Sequence, residues 1–118
     1  MQLALLHFIS IFAKHFINLD VYIDDKELEK LYETGKSKKL KLRPEIIEKF
    51  FAAIQKIDAA KDIYDLWNDP SLNFKKYEKH YSMRLSGKYR LEMEVKWMND
   101  EKTIGEFHLF EISNHFGD

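Results

Sequence analysis

The sequence predicts an α+β fold: a small, mostly antiparallel sheet with two N-terminal helices packed on one face, preceded by an apolar N-terminal extension. Three observations carry this expectation. Ile46, Ile47, Phe50, Phe51, Ile54 and Ile57 recur at the spacing of one helical face. From Tyr81 to Trp97 the apolar residues instead alternate with polar ones, which is the period of a half-buried strand. Finally, the order strand–helix–helix–strand–strand–strand keeps the helices together rather than alternating them with strands. A chain of 118 residues suits one ordinary domain that buries a core without staples.

Residues 1–18 are set apart by Leu3, Leu5, Leu6, Phe8, Ile9, Ile11, Phe12, Phe16 and Ile17. The uncharged run from Leu3 to Ala13 falls short of the ~20 residues that span a bilayer. No Lys or Arg precedes it, and Lys14-His15 stand where a cleavage site would need small residues, so a signal peptide is not expected. The extension reads either as a helix that docks on the domain or a partner, or as a segment added by an early start codon. The domain is expected over 19–118.

Leu19 to Ile23 reads as a short first strand. Asp24 or Asp25 supplies an N-cap, Leu28, Leu31 and Tyr32 form one stripe, and Gly35 stands at the C′ position of a first helix. Pro44 opens the second helix, which ends near Ala60. The stretch 62–77 is loop-like, with a helical turn around Tyr64–Trp67. Tyr81, Met83 and Leu85 lead through Ser86-Gly87-Lys88 to Tyr89, Leu91, Met93, Val95 and Trp97, a hairpin with one polar face. Asn99-Asp100-Glu101-Lys102 turns the chain into a last strand from Gly105 to Ile112.

The chain contains no Cys, which excludes a disulfide scaffold, a thiolate metal site and a Cys nucleophile. Its 19 Lys and Arg nearly balance 20 Asp and Glu, a net charge of −1. The charges are nevertheless segregated. Lys36, Lys38, Lys39, Lys41 and Arg43 form one cationic run, and Lys75, Lys76, Lys79, Arg84, Lys88 and Arg90 a second containing only Glu78 as an acid. A neutral sum can thus conceal a basic face suited to phosphate, or simply a solvated one.

Arg84 and Arg90 fall on the polar side of adjacent strands. Their guanidinium groups suit either bidentate phosphate recognition or cross-strand pairing with Glu92 or Glu94. Of the five histidines (His7, His15, His80, His108 and His115), none forms a metal-binding pair at helical spacing. His115 follows the last strand, where a tail can fold over the face that carries the arginines, as a general acid or base or as a solvated side chain. Asp58, Asp62, Asp65 and Asp69 are spaced to align on a helix, but Lys56, Lys61 and the break at Asn68-Asp69-Pro70 favour a solvated face over a metal site. Trp67 and Trp97 read as packing residues. No Gly-rich phosphate loop or nucleophile elbow is present.

Several segments together resemble the HigB-type toxins of the RelE/ParE superfamily. These are Leu28-Glu29-Lys30-Leu31-Tyr32-Glu33-Thr34-Gly35 with the basic residues after it, Leu72-Asn73-Phe74-Lys75-Lys76, Tyr81-Ser82-Met83-Arg84-Leu85-Ser86-Gly87-Lys88-Tyr89-Arg90-Leu91, and Glu111-Ile112-Ser113-Asn114-His115-Phe116-Gly117-Asp118. The match runs from about Leu19 to the C-terminus. The resemblance implies a cytoplasmic toxin of a type II toxin–antitoxin pair, bound by a HigA-like helix-turn-helix antitoxin, with no membrane partner. It implies cleavage of mRNA in the decoding site of a translating ribosome by 2′-hydroxyl attack, with no metal and no cofactor. Arg84 and Arg90 would then be the phosphate donors and His115 the acid–base group of the tail. Lys38, Lys39, Lys41, Lys75, Lys76 and Lys79 would grip the rRNA and mRNA backbones.

Three features depart from the family pattern. Phe116 stands where relatives often carry Tyr; Glu78 stands where they often carry Lys before Gly, in a shortened loop; and the apolar leader is extra. The alternative expectation is a non-catalytic ParE-like or degenerate toxin that acts only by binding gyrase or an antitoxin.

Overall fold

The elements form where local chemistry starts and stops them. Asp25 adopts an extended backbone and its carboxylate accepts the N–H groups of Glu27 and Leu28, both at 3.0 Å. Gly35, at φ 74°, ends the same helix and donates its N–H to Leu31 at 2.8 Å. Pro44 occupies the first turn of the next helix, where its missing N–H costs nothing. In this computed structural model, which describes residues 18–114, the order is β1 (Asp20–Ile23), α1 (Lys26–Thr34), α2 (Pro44–Ala59), α3 (Ile63–Trp67), β2 (Lys75–Tyr77), β3 (His80–Ser86), β4 (Tyr89–Trp97) and β5 (Gly105–Asn114). The apolar leader 1–17 and the tail 115–118, including His115 and Phe116, lie outside the described residues.

The strands make one mixed sheet in the order β1-β5-β4-β3-β2, with β1 parallel to β5 and every other pair antiparallel. α1 packs on β1 and β5, and α2 on β1 and β3. Val21, Ile23, Met83, Leu85, Leu91, Met93, Phe107 and Leu109 from the strands meet Leu28, Leu31, Ile46, Phe50, Ile54 and Ile57 from the helices in one core. Cutting Phe50 or Phe107 to Ala would cost about 3–5 kcal/mol, because both are fully buried. Among the described residues, no helix is long and apolar enough to cross a membrane.

The loop-like expectation for 62–77 is corrected in detail. The Asp62 carboxylate accepts Tyr64 N–H and starts α3; Asp69 accepts Ser71 N–H and starts a 3-10 turn at Pro70–Leu72. These caps, with Asp65 accepting Lys61 N–H, account for three of the four regularly spaced aspartates. β2 escapes a periodicity reading because all three of its residues are exposed and only pairing with β3 makes it a strand. Trp67 and Trp97 pack as expected: Trp67 against Phe74 and Tyr81, and Trp97 against Tyr81 and Phe107.

Candidate functional site

Strand alternation sends Met83, Leu85, Leu91 and Met93 into the core and so turns Ser82, Arg84, Arg90 and Glu92 to the opposite face. Arg90 is only 3 % exposed there. Its Nε donates to Ser82 Oγ at 2.8 Å, and its Nη2 donates to the carbonyls of Asn73 at 2.6 Å and Ser82 at 3.2 Å. Asn73 presents that carbonyl from a left-handed backbone, φ 42°, at the end of the 3-10 turn; Asn tolerates this region better than most residues. A guanidinium bonded this way is a fixed charge rather than a swinging one.

Glu92, two residues further along β4, is also buried. Its carboxylate accepts a hydrogen bond from Ser113 Oγ on β5 and meets His80 Nε2 at 3.1 Å. The imidazole is flanked edge-on by Tyr77 of β2 and by Phe110 of β5, with ring centroids 5.9 and 5.8 Å away. Phe110 stands in an irregularity of β5, where Glu92 pairs with Glu111 but Met93 already pairs with Leu109. Lys75, Lys76, Tyr77, His80, Ser82, Arg90 and Glu92 line a concavity of about 470 Å³. That volume suits a small-molecule-sized group such as a nucleotide. Three cations against one buried carboxylate make it a favourable place for phosphate.

Of the residues singled out from sequence, Arg90, Lys75 and Lys76 meet in this concavity. Arg84 does not. It is the register partner of Arg90, but it is exposed, and it borders a separate small hollow with Lys49, Lys56 and Ser71. The ladder keeps Arg84 opposite Arg90 and slips only beyond that pair, between Arg84 and Ser86. Lys79 lies in the tight turn joining β2 to β3. Beside it Glu78 takes φ 54°, a conformation glycine adopts without strain. Lys38 and Lys39 border a different hollow next to α1, with Glu27, Lys30 and Thr34, and Lys41 sits in the same loop at φ 49°. Among the described residues, Lys75 and Lys76 thus line one hollow and Lys38 and Lys39 another. His115 lies outside the described residues. Among the described residues, no group of three or more His, Asp or Glu is arranged to hold a metal ion.

His80 and Glu92 are the site residues that sequence reading passed over. The signal was available: His80 shares the alternation of Ser82, and Glu92 that of Arg90.

A five-stranded mixed sheet of this order, with helices on one face and an anchored arginine on the other, defines an α+β domain. Residues 21–107 match the family model described as the RelE-like toxin of the type II toxin–antitoxin system HigB, and the chain belongs to this HigB-like toxin family. Membership implies a toxin role and an antitoxin partner. No curated protein matches the chain.

Proposed function

We propose that this toxin is a cytoplasmic, ribosome-dependent mRNA endonuclease that stops translation and is held in check by a HigA-like antitoxin. The observation that carries the reading is the concavity in which Lys75, Lys76 and the buried Arg90 come together. Cleavage proceeds by attack of a ribose 2′-hydroxyl on the adjacent phosphate, without metal. Fixed cationic donors stabilise the charge that builds on the phosphorane. Arg90 supplies this charge from the floor of the site, and Arg84 approaches the backbone from outside it. His115 donates a proton to the leaving oxygen. Lys79, Lys38, Lys39 and Lys41 contact rRNA and flanking mRNA, each adding a salt-sensitive term.

Inducible expression followed by mapping of mRNA 5′ ends tests the reading. Growth arrest with cuts in translated messages, abolished when translation is blocked, is the expected result. Normal growth with soluble protein and intact mRNA would overturn it. Induction of a DNA-damage response with intact mRNA would replace it with a non-catalytic, gyrase-directed toxin.

A further inference from the structure

We propose that His80 is the general base of this reaction, held in position by Glu92; the inference rests on the endonuclease reading above. Cleavage through the 2′-hydroxyl needs a proton acceptor at the ribose as well as charge at the phosphate. The described part of the concavity contains one imidazole, and it is a built feature. Glu92 faces Nε2 at 3.1 Å and is itself held by Ser113, while Tyr77 and Phe110 fix the plane of the ring. With Nε2–H donated to the Glu92 carboxylate, the lone pair of the neutral ring lies on Nδ1. The His80 side chain is 33 % exposed against 6 % for Glu92, so the ring lies between a buried carboxylate and the open concavity.

Placement relative to the phosphate site follows from the strand. His80 and Ser82 are successive residues on one face of β3, about 6.6 Å apart along it. Ser82 accepts Arg90 Nε. A phosphate drawn to Arg90 and Lys75 therefore leaves its neighbouring ribose beside His80.

In the step, Nδ1 takes the 2′-hydroxyl proton while the O2′–P bond forms and the P–O5′ bond breaks. The O5′ oxygen leaves with a proton from the acid. The products are a 2′,3′-cyclic phosphate and a 5′-hydroxyl end. His80 is the catalytic residue; Glu92 is a positioning residue. Among the described residues, the charged and titratable groups around His80 are Glu92 and Arg90 on β4, Lys75, Lys76 and Tyr77 on β2, Glu78 and Lys79 in the turn, and Glu111 opposite Glu92 on β5.

The test uses the purified full chain added to ribosomes carrying a defined mRNA, with cleavage followed across pH. Binding of the same RNA with 2′-deoxy sugars is measured in parallel. His80→Ala and His80→Gln should each lose about 10²–10⁴-fold in rate. Both should bind the deoxy-substituted RNA within twofold of wild type. Glu92→Gln should lower kcat about tenfold with KM unchanged, because the ring loses the partner that orients it. If wild type cleaves and folded His80→Gln cleaves within threefold of it, the inference fails and the endonuclease reading stands. A matching loss of binding in both variants would make His80 a contact residue and also overturn the inference. If wild type itself cleaves no RNA, both fall together.

Discussion

Arg90 donates from Nη2 to the backbone carbonyl of Asn73 at 2.6 Å, which ties the start of β4 to the left-handed residue that leads into β2. The same guanidinium holds Ser82 on β3. One side chain thus braces the hairpin to the strand that supplies Lys75 and Lys76. Arg90→Ala would lose charge-assisted hydrogen bonds and leave buried acceptors unmet, costing about 2–4 kcal/mol in urea unfolding. Arg90→Lys would recover only part of this, since an ammonium lacks the planar fork. Loss of toxicity in Arg90→Ala therefore has to be read beside its stability.

Arg84→Ala separates the two effects. The residue is exposed, and its removal should change stability by less than about 0.5 kcal/mol. If Arg84 contacts the reacting phosphate, mRNA cleavage by the variant should fall at least about 100-fold, as for other single charge-stabilising donors. Wild-type cleavage would leave the phosphate role to Arg90 and the lysines.

The two cationic runs should differ in their grip on RNA. Lys75→Ala or Lys76→Ala should reduce the slope of log affinity against log salt for single-stranded RNA by about 0.7 each. Lys38→Ala and Lys39→Ala, in the separate hollow beside α1, should leave that slope unchanged. They should instead weaken binding to whole ribosomes. Filter binding across a salt series checks both.

Gly105 is required by close approach rather than by φ. A Cβ there would lie 2.7 Å from the backbone oxygen of Lys96 on the paired strand. Gly105→Ala should force β5 off β4 at its first residue and cost about 1–3 kcal/mol, the usual range for overpacking. Thermal unfolding measures it.

Asp69 gives the acid dependence a sign. Hydrogen bonding from Ser71, then from Lys56, holds its carboxyl below the ordinary range. A depressed folded pKa contributes stability that is present above the unfolded value of about 3.9 and is lost as pH falls through the folded one. Asp69→Ala, which also removes the cap of the 3-10 turn, should cost about 1 kcal/mol at pH 7. The gap between variant and wild type should narrow below about pH 4 in parallel urea titrations.

Much of the site was half-legible in the sequence. The alternation through 81–97 placed Arg84 and Arg90 on one face, and the cationic stretch around Lys75 and Lys76 was plain. His80 carried the same period, yet nothing local marked it as the partner of Glu92. Asn73 looked like an ordinary loop residue. Its role as an acceptor for Arg90 depends on a contact across 17 positions of chain.

The amino-acid sequence alone determined the order of the main elements apart from β2 and the 3-10 turn, the β3–β4 hairpin, the segregation of charge beneath a net −1, and the exclusion of thiol chemistry. These are local or compositional properties, set by side-chain period, caps and residue type. Tertiary structure decided that β1 lies parallel to β5, that Arg90 is buried while Arg84 is not, and that His80 meets Glu92. Register, ladder slips and burial depend on which distant strands come together, and a two-residue period carries no information about the partner.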